Sequence, residues 1–189
     1  MPILDMRAAT FWERKALVPP ISVTLDHGER SGLVFANGFA AGIAARLAAG
    51  IVKCSSGIVF IEGFDPKIQP VQAKRFVGFV PHDRVPMPAD TRAYFAYRAA
   101  LWEIDAHRAL ERGEALLKRF DGLPLDRSLA LAGALLHDPQ LVVLDRPSQS
   151  LREAAEDSAP NAALIAVYGP DESPARWPHP GFEVREAVR

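Results

Sequence analysis

Cysteine is all but missing from this 189-residue chain: Cys54 stands alone, which excludes an internal disulfide and any site built from several thiolates. A charge surplus is missing too. With 22 basic and 23 acidic side chains, nothing is left over to neutralise nucleic-acid phosphates, so nucleic acid is not an expected partner. Long hydrophobic runs are also lacking. The longest uncharged stretch, Ser31 to Ala45, is broken by Asn37 and three glycines and is too short to span a bilayer. No apolar leader follows Met1, since Arg7, Glu13, Arg14 and Lys15 come early. These absences leave the expectation of a soluble, cytoplasmic, single globular domain with ample chain for a core.

What is present is alanine, leucine and proline. The 30 alanines make helix propensity common and weakly diagnostic, while the 16 prolines crowd into 18–20, 80–88 and 170–180 and punctuate the chain. Short apolar segments bounded by Gly, Pro or Asp predict strands at 21–25, 32–36, 58–62, 76–80, 141–144 and 163–167. The run Leu141-Val142-Val143-Leu144 suits a strand covered on both faces, as in parallel sheets. Helices are expected at 40–49, at 92–102 behind Asp90-Thr91, from Asp105 to Phe120, and at 129–136 behind Asp126-Arg127-Ser128. Strand–helix alternation with a charged helical middle predicts an α/β fold. The closing residues 182–189 alternate as an edge strand would, and a frayed terminus fits them equally.

Several words then occur in a fixed order. A strand runs through Phe35 into Asn37-Gly38 and a helix. Next come Ser56-Gly57-Ile58-Val59-Phe60-Ile61-Glu62-Gly63 and Val77-Gly78-Phe79-Val80-Pro81-His82. Last is the stretch from Leu129 through His137-Asp138-Pro139-Gln140-Leu141-Val142-Val143-Leu144-Asp145-Arg146-Pro147. In order and spacing this resembles the ATP-binding subunit of ABC transporters over residues 20–172. The resemblance implies a P-loop NTPase-like mixed sheet flanked by helices, with a shortened helical subdomain over about 82–128 and a proline-rich tail at 170–189.

The departures from that family are concentrated at its chemistry. A phosphate loop needs glycines for close approach, a lysine for the phosphates and a hydroxyl for magnesium. Aligned on Asn37-Gly38, the four key positions hold Phe35, Ala40, Ala41 and Gly42, and no lysine occurs between Lys15 and Lys53. Asn37-Gly38 then reads as an ordinary turn, with Phe39 or a neighbouring apolar side chain filling the space phosphates would take. Asp145 matches the family's magnesium-ordering carboxylate, but the water-activating glutamate after it is Arg146, which cannot accept a proton and is placed to pair with Asp145. The metal-contacting glutamine is His82. A Ser-Gly-Gly signature is absent between Leu123 and Leu129, Arg152 replaces an aspartate, and Tyr168-Gly169 stands where a Thr-His pair belongs. Phe11 or Trp12 could mimic the aromatic that stacks on adenine, or anchor the core.

The expectation is therefore a degenerate, non-hydrolysing subunit with no catalytic residue, no metal site and no cofactor. ATP with magnesium enters only under the alternative of an ATPase with atypical motifs. The resemblance implies two partners, a permease and an active ATP-binding subunit, and a place at the cytoplasmic face of a membrane. A free-standing scaffold on the same fold is the other alternative. In the family the permease docks between the glutamine-loop region and the helical subdomain. His82, Tyr94, Phe95 and Trp102 are the corresponding docking candidates, together with Pro86-Met87-Pro88. Tyr94, Phe95, Tyr97, Leu101 and Trp102 cover too wide an arc for one buried helical stripe, so part of this aromatic surface is expected to face a partner, unless the subdomain buries it all.

Overall fold

A computed structural model describes residues 1–13, 16–83, 88, 90–171 and 183–186. Within them the chain alternates strands and helices as its apolar segments require. The strands are β1 (Leu4–Glu13), β2 (Ala16–Leu25), β3 (Arg30–Val34), β4 (Ser56–Ile61), β5 (Val77–Val80), β6 (Leu141–Asp145), β7 (Ala163–Tyr168) and β8 (Glu183–Glu186). The helices are α1 (Gly38–Ala48), α2 (Pro70–Lys74), α3 (Thr91–Leu101), α4 (Ala106–Arg119), α5 (Leu125–Leu135) and α6 (Gln149–Ser158).

The strands form two sheets. One is antiparallel, in the order β2-β1-β4, and the other is parallel, in the order β5-β6-β7-β3-β8. The mixed character expected of the fold thus comes from two sheets of different kind. At the seam between β1 and β4 the register slips beside Ala8, whose φ is +47°, and Gly57 packs against it. A Cβ at Gly57 would meet the Ala8 carbonyl oxygen at 2.2 Å, so only glycine fits there.

Two apolar layers sandwich the parallel sheet. Every residue of β6 is buried. Leu141 and Val143 face a core shared with α1 and the antiparallel sheet, whereas Val142 and Leu144 face one shared with α3, α4, α5 and α6. Asp145 continues the alternation onto the α1 side, because side chains two apart share a face. This places a carboxylate at the carboxyl end of a central parallel strand, opposite the start of α1. β8 lies along β3 at the sheet edge, so residues 183–186 realise the edge-strand reading of the terminus, while 172–182 and 187–189 lie outside the described residues. Among the described residues no helix is long and apolar enough to cross a membrane.

Candidate functional site

The loop after β3 leads directly into α1. Asn37 Oδ1 accepts the Ala40 N–H at 2.8 Å, which satisfies one of the amides that a helix start leaves open. The pair expected as an ordinary turn is a helix N-cap. Phe35 N–H donates to the Tyr168 carbonyl at 2.9 Å, continuing the β3–β7 pairing to the edge of the loop. The strand–turn–helix path over residues 35–43 is as expected.

Its filling is different. Phe39 faces outward with 56% of its surface exposed, and Ile43 is half-buried against the core. The side chain beside the first turns of α1 is Arg146. A Cβ at Gly38 would lie 3.0 Å from its Nη1, one at Gly42 3.7 Å from its Nη2, and one at Gly169 3.7 Å from its Cδ. Gly38 and Gly42 are four residues apart and so share a helix face. Gly169, just past β7, supplies a third wall. The three glycines form a slot, and the arginine lies in it. Apolar packing fails here because Phe39, adjacent to Gly38, occupies a different face of the helix.

Asp145 ends β6 with a side chain of 0% exposure. Its Oδ1 accepts from Arg146 Nε at 3.1 Å, so the expected pairing is present. Arg146 itself sits at φ +49° while its N–H donates to the Val167 carbonyl at 2.7 Å. A left-handed conformation costs a non-glycine residue about 1–2 kcal/mol, so the surrounding contacts hold it there.

His82, two residues past β5, approaches this cluster through Nδ1, 3.4 Å from the Arg146 carbonyl. Its loop is held by Arg127 at the start of α5. Arg127 Nη1 donates to the Pro81 and His82 carbonyls, and Nη2 to the Asp83 carbonyl, each at 2.9 Å. Arg46 on α1 adds a bridge to Asp83 at 3.4 Å. Neither Arg46 nor Arg127 stands out in the sequence, since an arginine that binds backbone carbonyls follows no motif. His82, Arg127, Arg146 and Ser148 line a cleft of about 700 Å³.

These residues do not fit a magnesium-bound phosphate. The positions for lysine and hydroxyl hold Ala41 and Gly42, and Ala41 has no exposed surface. The carboxylate at the strand end already carries a guanidinium, and Arg146 can accept no proton. Among the described residues, no three His, Cys, Asp or Glu side chains gather as a metal site would require. Arg152 is buried in α6 and pairs with Glu156 one turn on, and Tyr168 is buried at the end of β7. Phe11 packs against the core, whereas Trp12 is exposed.

The docking candidates separate. Phe95 is fully buried against α4, where a Cβ on Gly113 would fall 2.7 Å from its ring, so it offers no surface to a partner. It is core because Phe95 and Ala99, four apart, form the inward stripe of α3. Tyr94 is half-buried, stacks edge-on with Phe95 at 5.4 Å and donates its hydroxyl to the Leu129 carbonyl at 3.3 Å. Burial pushes its phenol above the ordinary tyrosine value, partly offset by Arg98. Tyr97 remains 63% exposed. Trp102 closes α3 and stacks on His137 with centroids 4.0 Å apart. It lines a hollow of about 370 Å³ with Val71, Lys74, Arg75, Leu101 and Glu103. Pro86 and Met87 lie outside the described residues.

No family model matches the chain. It is 26% identical over 162 residues to the ABC transporter ATP-binding protein NatA of Bacillus subtilis, covering 75% of this chain and 64% of that protein. It is 26% identical over 149 residues to the linearmycin resistance ATP-binding protein LnrL of the same organism, covering 71% and 48%. Against the Nod factor export ATP-binding protein I of Sinorhizobium fredii it is 27% identical over 151 residues, covering 72% and 44%. The chain thus spans between about two fifths and two thirds of these relatives' lengths. In fold it is similar to a solved ATP-binding subunit of an ABC transporter, with a TM-score of 0.70 at 17% identity over 88% of this chain and 79% of that one. It is also similar to cbiO1 of Clostridium perfringens, part of an ABC transporter complex, with a TM-score of 0.65 at 16% identity over 92% and 81%.

Proposed function

Given that the chain is a relative of ABC transporter ATP-binding subunits in sequence and in fold, we propose that it is a degenerate member that neither binds nor hydrolyses ATP. In this reading it serves as a docking partner of a permease, beside an active ATP-binding subunit, at the cytoplasmic face of a membrane. One observation carries it. The residue after the strand-end carboxylate is an arginine whose guanidinium is already on that carboxylate and against the helix that would receive phosphate. Phosphoryl transfer rests on positioned charge around the phosphates. With the lysine, the hydroxyl and the proton-accepting residue all replaced, little of that charge remains.

The docking half draws on the contrast between site and scaffold. The β6 strand and the α5 helix keep continuous apolar packing, while the replacements fall at the nucleotide contacts. A fold kept intact around an erased site suits a role in assembly. The exposed apolar residues Val71 and Leu101 of the hollow that Trp102 also lines are the surface this reading assigns to the permease.

Titration calorimetry with ATP and magnesium tests the first half. No binding is expected at physiological concentration, and micromolar affinity, or a melting temperature that climbs with ATP as mass action requires, would overturn it. Affinity capture from solubilised membranes tests the second half. Recovery of a permease together with an intact ATP-binding protein is expected, and a protein recovered only as a free monomer refutes docking.

A further inference from the structure

We propose that Arg146 is an internal ligand: its guanidinium closes the vestigial phosphate loop from within, binding Asp145 and filling the slot between Gly38, Gly42 and Gly169. The assignment rests on the reading of this loop as a former phosphate loop, and the melting experiments below test it apart from ATP binding and permease capture. Four observations carry it. The Asp145 side chain is wholly buried at the end of β6, and among the described residues the hydrogen bond its carboxylate accepts comes from Arg146 Nε. The three glycines give the side chain its room. A Cβ at Gly38 would crowd Arg146 Nη1 at 3.0 Å, and Cβ atoms at Gly42 and Gly169 would stand at contact distance, 3.7 Å, from its Nη2 and Cδ. Arg146 holds a left-handed backbone at φ +49°, which an arginine adopts only where its surroundings require it. The apolar alternative is not used, because Phe39 is turned out to solvent.

The charge arrangement agrees. A buried carboxylate left alone is strongly unfavourable, so it demands a partner at close range. Arg46 also lies nearby on α1, 3.2 Å from a Cβ at Gly42, but it donates to the Gly42 carbonyl and bridges to Asp83 instead. Among the described residues, Arg146 is the cation paired with Asp145. A planar fork on a flexible stem can neutralise the acid and occupy the slot at once, and a lysine could do only the first. The consequence is that the loop holds its shape with no small molecule in it.

Four proteins test this: the unaltered chain, Arg146→Gly, Asp145→Asn and the double variant. Glycine suits φ +49°, so Arg146→Gly removes the side chain without straining the backbone, and the double variant, which carries the same glycine and its chain entropy, isolates the pairing with Asp145. Arg146→Gly should melt at least about 5 °C below the parent, in keeping with the usual sensitivity of a chain this long. The double variant should regain at least half of that loss, because the amide no longer needs a cation. Methylguanidinium at millimolar concentration should raise the melting point of Arg146→Gly and leave the parent unchanged. If Arg146→Gly fails to fold, a folded double variant gives the same support. The assignment is overturned if Arg146→Gly melts with the parent, or if the double variant is no more stable than Arg146→Gly. Equal methylguanidinium shifts in parent and variant overturn it as well.

Discussion

His137 illustrates how far one side chain can be displaced from its ordinary chemistry by packing. It lies just past α5, stacked on Trp102, with Nε2 donating to the Val77 carbonyl at 3.1 Å. Burial pulls its pKa down to about 4, helped by Arg98 and Arg112 and opposed by the Val77 carbonyl and Asp138. The folded chain therefore takes up this proton less readily than the unfolded chain does. Between about pH 6.5 and pH 4 the unfolded state binds more protons, so stability falls as pH falls through that window. The contribution is on the order of 2 kcal/mol after allowance for the ring's accessible edge. Urea midpoints at pH 7 and pH 4.5 should differ more in the parent than in His137→Gln, and equal differences would remove His137 from the account. At this scale the sequence was a partial guide. The absence of a lysine between Lys15 and Lys53 and the Asp145–Arg146 pairing can be read directly, because they are local in the chain. That Arg146 lies between Gly38, Gly42 and Gly169 cannot be read, since Gly38 and Gly42 are more than a hundred positions from it in the chain.

Helices α3, α4 and α5 show what sets an element's position once its formation is assured. Asp90 and Asp105 cap α3 and α4 through their carboxylates, and both starts are foreseeable from the sequence. How closely the helices approach is decided by glycines. Phe95 lies over Gly113, and the Tyr94 hydroxyl lies over Gly133, where a Cβ would come within 2.2 Å of it. Gly113→Ala should raise local helix propensity by nearly 1 kcal/mol yet destabilise the protein by about 1–3 kcal/mol net, because the Phe95 ring has nowhere to go. A lowered melting temperature checks this, and pairing the change with Phe95→Leu should recover part of it. Unchanged melting would mean that α3 shifts freely on α4. The elements the sequence leaves unannounced are β1, α2 and α6. The β1 strand carries Asp5, Arg7 and Glu13 and a register slip, so its alternation is interrupted. Only five residues make up α2. In α6 the signal lies in Ser148, which accepts the Leu151 N–H at 3.3 Å, but the preceding Asp145-Arg146-Pro147 resembles the start of a family turn and masks the helical period.

For the molecule as a whole, the question is which surface carries the proposed docking, and two clefts compete. The cleft of His82, Arg127 and Arg146 is floored by polar groups already engaged with one another. The hollow between α2 and the end of α3 differs. Val71 is 64% exposed, Leu101 54% and nearby Ile68 77%, while Lys74 and the Arg75–Glu103 pair supply a charged margin. An apolar centre with a polar rim is the usual anatomy of a specific contact. Leu101 and Val71 also bury little in the free protein, so they can be altered without disturbing the fold. Leu101→Asp and Val71→Asp should each leave the melting temperature within about 1–2 °C of the parent, as surface changes commonly do. Membrane association, measured by co-sedimentation of the protein with permease-containing vesicles, should fall about tenfold or more, the loss expected when a central anchor is removed. Trp102→Ala is a poorer probe, since it also removes the stack on His137 and would lower stability by itself. Phe95→Ala serves as the opposite control. It should destabilise the protein through an emptied core while leaving the affinity of the folded fraction unchanged. If the two aspartate variants sediment with membranes as fully as the parent, the α2–α3 hollow is not the docking surface, and the proposed contact must be sought on another face.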